Sequence, residues 1–147
     1  MRRYKMYTLR EKIEKLLNGG KDLSLLLLRL VLAYGFYGPA MHKWSDIGAV
    51  ATWFGESLGI PFPLVNAYMA ASTELAGVVL LVLGLGVRFI ALPLMVVMVV
   101  AIVTVHLSNG FSSGDNGFEI PLYYMLMLFT LATHGGGKFG LDNFFKK

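Results

Sequence analysis

Long apolar stretches alternate with short polar ones along this chain. Residues 23–42, 66–85, 89–107 and 120–134 are mostly Leu, Val, Ala, Met and Phe. At 1.5 Å per residue the longer ones reach about 30 Å, the thickness of a bilayer's hydrocarbon core, so the pattern predicts four membrane spans. The organising stretch is 66–88, NAYMAASTELAGVVLLVLGLGVR. Its Ala70, Glu74, Gly77 and Gly84 fall at i, i+4, i+7 and i+14. They are expected on one small, polar helix face that lets a neighbouring backbone approach closely.

The segments between the spans have their own patterns. In residues 1–17, Met6, Leu9, Ile13, Leu16 and Leu17 recur at helical spacing among Arg and Lys. This predicts a basic amphipathic helix on an anionic membrane surface, stopped by Asn18-Gly19-Gly20. Asp22 or Ser24 is expected to cap the first span. Residues 43–65 are too polar and too broken to cross. Their Trp44, Ile47, Val50, Ala51, Trp53, Phe54 and Leu58 predict a short interfacial helix, before Gly59, Pro61 and Pro63 turn the chain. Residues 108–118 read as a loop. Pro93 falls near the first turn of the third span, and Pro121 suits the first position of the fourth. Gly135-Gly136-Gly137 ends that span, and Phe144, Phe145, Lys146 and Lys147 form an interfacial anchor. The expected fold is all-α: an integral membrane four-helix bundle with an amino-terminal amphipathic interfacial helix (residues 1–20) ahead of the four-span domain (residues 21–147), and a short interfacial helix between spans 1 and 2.

Composition agrees. The chain has 147 residues, 56% of them hydrophobic and 15% charged, with mean hydropathy +0.62; soluble domains carry about 25% charged residues. With no cysteine, disulfide exchange, iron–sulfur ligation and thiolate zinc sites on this chain are excluded. The net charge of +4 does not point to nucleic acid, because the basic residues fall where membrane proteins place them. Seven lie before the first span, one in the turn at Arg88 and three in the tail, against Lys43 alone on the other side and Arg29 inside the membrane, which accounts for all 13. The positive-inside rule then places both termini in the cytoplasm of a cell whose inner (plasma) membrane holds the chain. No small-residue cleavage site follows the first apolar run, so a removed signal peptide is not expected.

Ionisable residues inside the spans carry the candidate chemistry. A carboxylate at mid-membrane costs roughly 2.5–3.5 kcal/mol on insertion scales, which marks Glu74 as paired or functional. Arg29, Ala33, Phe36, Ala40 and Lys43 share one face of the first span. Arg29 is expected either to reach outward to Glu74 or to snorkel to the near interface. His42, Lys43, His106 and Glu119 gather at the outer face, where Glu119 is expected to accept from Lys43 or His106. Tyr123 stands on the partly polar face of the fourth span. The ligand- or proton-binding candidates are therefore Arg29, Lys43, Glu74, His106, Glu119 and Tyr123, a ladder across one bundle. No catalytic residue is assigned. No metal is expected, although His42, His106 and Glu119 match a two-His, one-carboxylate set in residue type.

These features together resemble the DoxX family of small four-helix membrane proteins. The resemblance is carried by Arg29, by Gly38 and Lys43, by Leu58-Gly59-Ile60-Pro61, and by Glu74 with Gly77 ahead of Gly84, Leu85 and Arg88. It continues through His106, Gly117-Phe118-Glu119, Gly135-x-Gly137 and Leu141-Asp142, so it covers residues 25–145. Val78 stands where a second Gly is common, and Gly140 where a Ser often precedes Leu-Asp. The resemblance implies a redox-linked membrane role, as in thiosulfate:quinone oxidoreductase and a mycobacterial redox-stress complex, without implying a defined reaction.

Three functions follow. The first is a quinone-facing or accessory subunit of a redox complex, with quinone as the cofactor, the lipid bilayer as its setting and a redox subunit as partner. The second is a small transporter or proton conductor. The third is a scaffold whose charges fix helix register. Homo-oligomerisation is compatible with each.

Overall fold

The structure is a computed structural model that describes residues 8–145. Met6 and the basic residues Arg2, Arg3 and Lys5 of the expected amphipathic helix lie outside the described residues, as do Lys146 and Lys147 of the tail.

Helix α1, Leu9–Gly19, begins at a capping box. Thr8 Oγ1 accepts from the Glu11 N–H at 3.3 Å, and Glu11 returns the bond from the Thr8 N–H at 2.8 Å. Two of the helix's otherwise unpaired donors are thereby satisfied. None of its residues is buried, and Leu9, Leu16 and Leu17 project freely. The expected stop at Asn18-Gly19-Gly20 is weaker than the glycines imply. Gly20 keeps a right-handed helical backbone (φ −79°, ψ −10°), and α2, Lys21–Ser45, starts at once. Neither Asp22 nor Ser24 caps α2, because Asp22 is turned to the far end of the chain, where it accepts from the Lys138 N–H at 2.9 Å. Pro39 lies within α2, and the helix still runs past His42 to Ser45.

The interfacial segment forms α3, Ile47–Thr52, followed by a π-turn, Trp53–Ser57. Asp46 caps it by accepting from the Ala49 N–H at 2.9 Å. Val50, Ala51 and Phe54 bury against Ala67, while Trp44 and Trp53 stay exposed. Helix α4, Pro63–Leu83, opens on a proline preceded by left-handed Phe62 and closes on left-handed Gly84. Helix α5, Val87–Ala101, passes through a π-turn and a 3-10 turn to give one run of 23 residues, Val87–Asn109. Pro93 therefore sits well inside α5, beyond its first turn. Helix α6, Glu119–His134, ends at Gly135.

The four long helices close a ring in which α2 packs on α4, α4 on α5, α5 on α6 and α6 on α2. Leu32, Phe36, Leu81, Leu94, Leu128 and Leu131 fill its centre. Gly77 admits α5: a Cβ there would lie 2.8 Å from Leu94. The outward faces of the bundle are apolar. Three helical runs are long and apolar enough to cross a membrane: Leu9–Ser45, Pro63–Leu83 and Val87–Asn109. The fourth, α6, is apolar but has 16 residues, about 24 Å of rise. The molecule is an all-α membrane bundle.

Candidate functional site

The buried face of α4 is Ala67, Ala71, Glu74, Gly77 and Leu81. Ala70 lies to one side of it, packed on the interfacial helix, and Gly84 is the left-handed cap. The buried face of α2 runs Arg29, Leu32, Ala33, Phe36 and Ala40; half-buried Lys43 continues it by one turn. These two faces meet, and Lys43 pairs with Glu74. Its Nζ donates to both carboxylate oxygens, at 3.0 and 2.9 Å. Glu74 is 2% exposed, whereas the Lys43 side chain is 18% exposed. The carboxylate is sealed inside the bundle, and the ammonium that meets it is partly exposed. An ammonium has three N–H donors; Glu74 takes two, and the third points to no acceptor among the described residues.

The expected partnership of Arg29 with Glu74 is not formed. Arg29 is fully buried, so it does not snorkel either. Its guanidinium lies against Gly84 and Gly140, near enough that a Cβ on Gly84 would collide with Nη1. Gly84 ends α4 ten residues beyond Glu74, about 15 Å of helix rise, too far for an Arg on that level to reach the carboxylate. The charge acting on Arg29 is Asp142. Its Nε, Nη1 and Nη2 are buried without a hydrogen-bond acceptor among the described residues.

Asp142 is the residue that the sequence left out of the site. Its Oδ1 accepts from the Gly86 N–H at 2.8 Å and its Oδ2 from the Val87 N–H at 3.3 Å, so it caps α5 from 55 residues away. Its own N–H donates to the Gly84 carbonyl at 3.1 Å. The only local signal is the Gly84-Leu85-Gly86 turn, whose left-handed glycines leave a helix start without a side-chain cap. Nothing in that turn names the residue that arrives.

At the α5–α6 loop, Glu119 accepts from neither Lys43 nor His106. Its Oε2 accepts from the Ser113 N–H at 3.0 Å and its Oε1 from the Tyr123 hydroxyl at 3.1 Å. His106 Nδ1 donates to the Asn116 carbonyl at 2.8 Å, and Asn109 donates to the same carbonyl. His106, Glu119 and Tyr123 thus fasten the loop between α5 and α6. The Ser113 backbone N–H holds the Glu119 carboxyl below the usual carboxylate range, helped by the Ser113 and Tyr123 hydroxyls. The set His42, His106 and Glu119 does not assemble: no three His, Asp or Glu side chains gather for a metal among the described residues. The expected ladder resolves into separate groups, each with its own partners.

Comparison with known proteins places this geometry in a family. The DoxX family profile matches residues 24–107, the segment that holds Arg29, Lys43, Glu74 and His106. An uncharacterized protein of Haemophilus influenzae is 36% identical over 135 residues, 87% of either chain. A second protein of that organism, also uncharacterized, is 35% identical over 127 residues, covering 84% of this chain and 92% of the other. A Bacillus subtilis protein named "Putative oxidoreductase CatD" is 31% identical over 130 residues, covering 87% of this chain and 91% of that one. No solved structure is significantly similar. With the profile covering more than half of the chain and relatives matching along most of it, this protein belongs to the DoxX family.

Proposed function

We propose that this chain is a membrane subunit or accessory protein of a redox system, and that Lys43 and Glu74 hold the headgroup of a quinone or a similar small acceptor. The observation that carries this reading is the buried Glu74 doubly bonded to Lys43, whose third N–H has no acceptor among the described residues. That N–H suits a carbonyl oxygen entering from the outer mouth. A quinone reduced there takes two electrons and two protons. Lys43 would donate a hydrogen bond to the headgroup oxygen and Glu74 would hold the ammonium in place, while both electrons would come from a partner oxidoreductase and both protons from water at the mouth. The family relationship and the oxidoreductase name of the Bacillus relative support a redox setting. The setting proposed is the inner membrane, with both termini cytoplasmic. Proton conduction on its own has less support, because the ionisable groups do not join into one path.

The test uses tryptophan emission. Both Trp residues lie in or next to the interfacial segment, and Trp44 adjoins Lys43. Ubiquinone-1 titrated into the detergent-purified protein should quench emission saturably. Lys43→Met and Glu74→Gln should each weaken that binding by about tenfold or more, the worth of one charge-assisted hydrogen bond. Linear, unsaturable quenching that is the same in all three proteins would refute the reading.

A further inference from the structure

At the opposite end of the bundle from Lys43 lies a cleft of about 390 Å³ that the proposed function does not use. It is built where the α4–α5 turn, the end of α6 and the carboxy-terminal segment meet. Arg88 and Phe89 line it from α5, His134 from α6, and Gly135, Gly136, Gly137 and Lys138 from the following loop. Asp22 and Asp142 line it too, but both carboxylates are already engaged. Asp22 pairs with Lys138 Nζ at 3.5 Å and accepts from the Lys138 N–H. Asp142 caps α5 and faces Arg29. What remains is Arg88, exposed, lying along Gly135 and without an ion pair among the described residues.

We propose that this cleft binds a phosphate monoanion, the phosphodiester of an acidic phospholipid, with Arg88 as its charge partner. A guanidinium presents a planar fork of donors that matches two phosphate oxygens. The three glycines carry no side chains, so the phosphate can approach the loop backbone closely. One unpaired guanidinium matches the single net negative charge of an acidic phospholipid, which a zwitterionic lipid cancels with its own cation. The source of the phosphate follows from the rim: Phe89 and Phe145 are 80% and 77% exposed. Exposed Phe rings suit the boundary between headgroups and acyl chains, which a free phosphate lacks. Thr130 receives the Nδ1–H of His134 through its carbonyl, and the Thr133 hydroxyl lies against the same nitrogen, so the ring is held beside the cleft.

The experiment is native mass spectrometry of the full chain, delipidated in detergent and titrated with dioleoylphosphatidylglycerol, dioleoylphosphatidylcholine or glycerophosphoglycerol, the same phosphodiester without acyl chains. One phosphatidylglycerol per chain should be retained, about tenfold more tightly than phosphatidylcholine. Arg88→Gln should remove that preference. Arg88→Lys, which keeps the charge and loses the fork, should keep part of it. Lys12→Gln, which removes an equal charge outside the cleft, should leave it intact. Equal retention of the two lipids overturns the proposal, as does a loss in Lys12→Gln matching that in Arg88→Gln, since either outcome means diffuse attraction. Glycerophosphoglycerol binding as tightly as the lipid would overturn the lipid source.

Discussion

Removing one partner of the Lys43–Glu74 pair leaves the other charged inside the bundle. Breaking a buried pair this way costs about 3–5 kcal/mol, whereas replacing both partners together costs much less. Lys43→Met and Glu74→Gln are therefore each expected to lower the melting temperature in detergent by more than the double variant does; a double-mutant cycle measures the coupling. Arg29→Leu combined with Glu74→Gln should show additive effects, because those two residues do not touch. Glu119 behaves differently, since it is tied to a backbone N–H at the surface. Its carboxyl is held below the ordinary value in the folded state. The stabilisation is thus complete above the unfolded value and is lost as pH falls through the folded one. Followed by NMR, the Ser113 amide should keep its shifted position through mildly acidic pH and move only at a pH below the free-glutamate range. In Glu119→Gln that titration should vanish.

Between α4 and α5 the chain turns through two left-handed glycines that face different surroundings. Gly84 has φ +67°, and a Cβ there would overlap Arg29 Nη1 and the Gly140 Cα. Gly86 has φ +59°, and a Cβ added there would meet nothing within 4 Å. Both alanine substitutions carry the left-handed penalty of about 1–2 kcal/mol. Only Gly84→Ala must also push apart a backbone and a buried guanidinium. Gly84→Ala should therefore lower the melting temperature clearly more than Gly86→Ala, and equal shifts would mean that the carboxy-terminal segment is not docked on this turn. The same contact explains why α5 starts where it does. Its first N–H groups are met by Asp142, which arrives only after α6 has folded back alongside.

For the bundle as an object in a membrane, the basic residues at one end set the expected orientation. Eleven of the 13 lie on the side of the termini and of the α4–α5 turn, against Lys43. Because the chain has no cysteine, single cysteines at Lys12 and at Ser57 report orientation without background. In intact cells an impermeant maleimide should label Ser57→Cys and spare Lys12→Cys; the reverse pattern would invert the topology. At 16 residues, α6 is short for a span of about 30 Å. A fourth crossing by α6 would require local thinning of the bilayer.

Helices, their order and their buried faces are legible in the sequence because each depends on residues three and four positions apart. The spans around residues 23–42 and 66–85 and the shared face of Arg29, Ala33, Phe36, Ala40 and Lys43 follow from period and length alone. So does the cost of a charge at mid-membrane, which singles out Glu74 before any partner is known. Which cation meets it was decided elsewhere. The expectation that Arg29 reaches Glu74 takes the ends of the two spans, at residues 42 and 66, to lie at one level. In the fold they are offset: Lys43 lies at the level of Glu74 and Arg29 beside Gly84. Asp142 capping a helix from 55 residues away and Glu119 bonded to its own loop are likewise contacts of the folded chain. A side chain's partner depends on the relative height and rotation of two helices, and those are fixed by packing between segments and not by the spacing within either one.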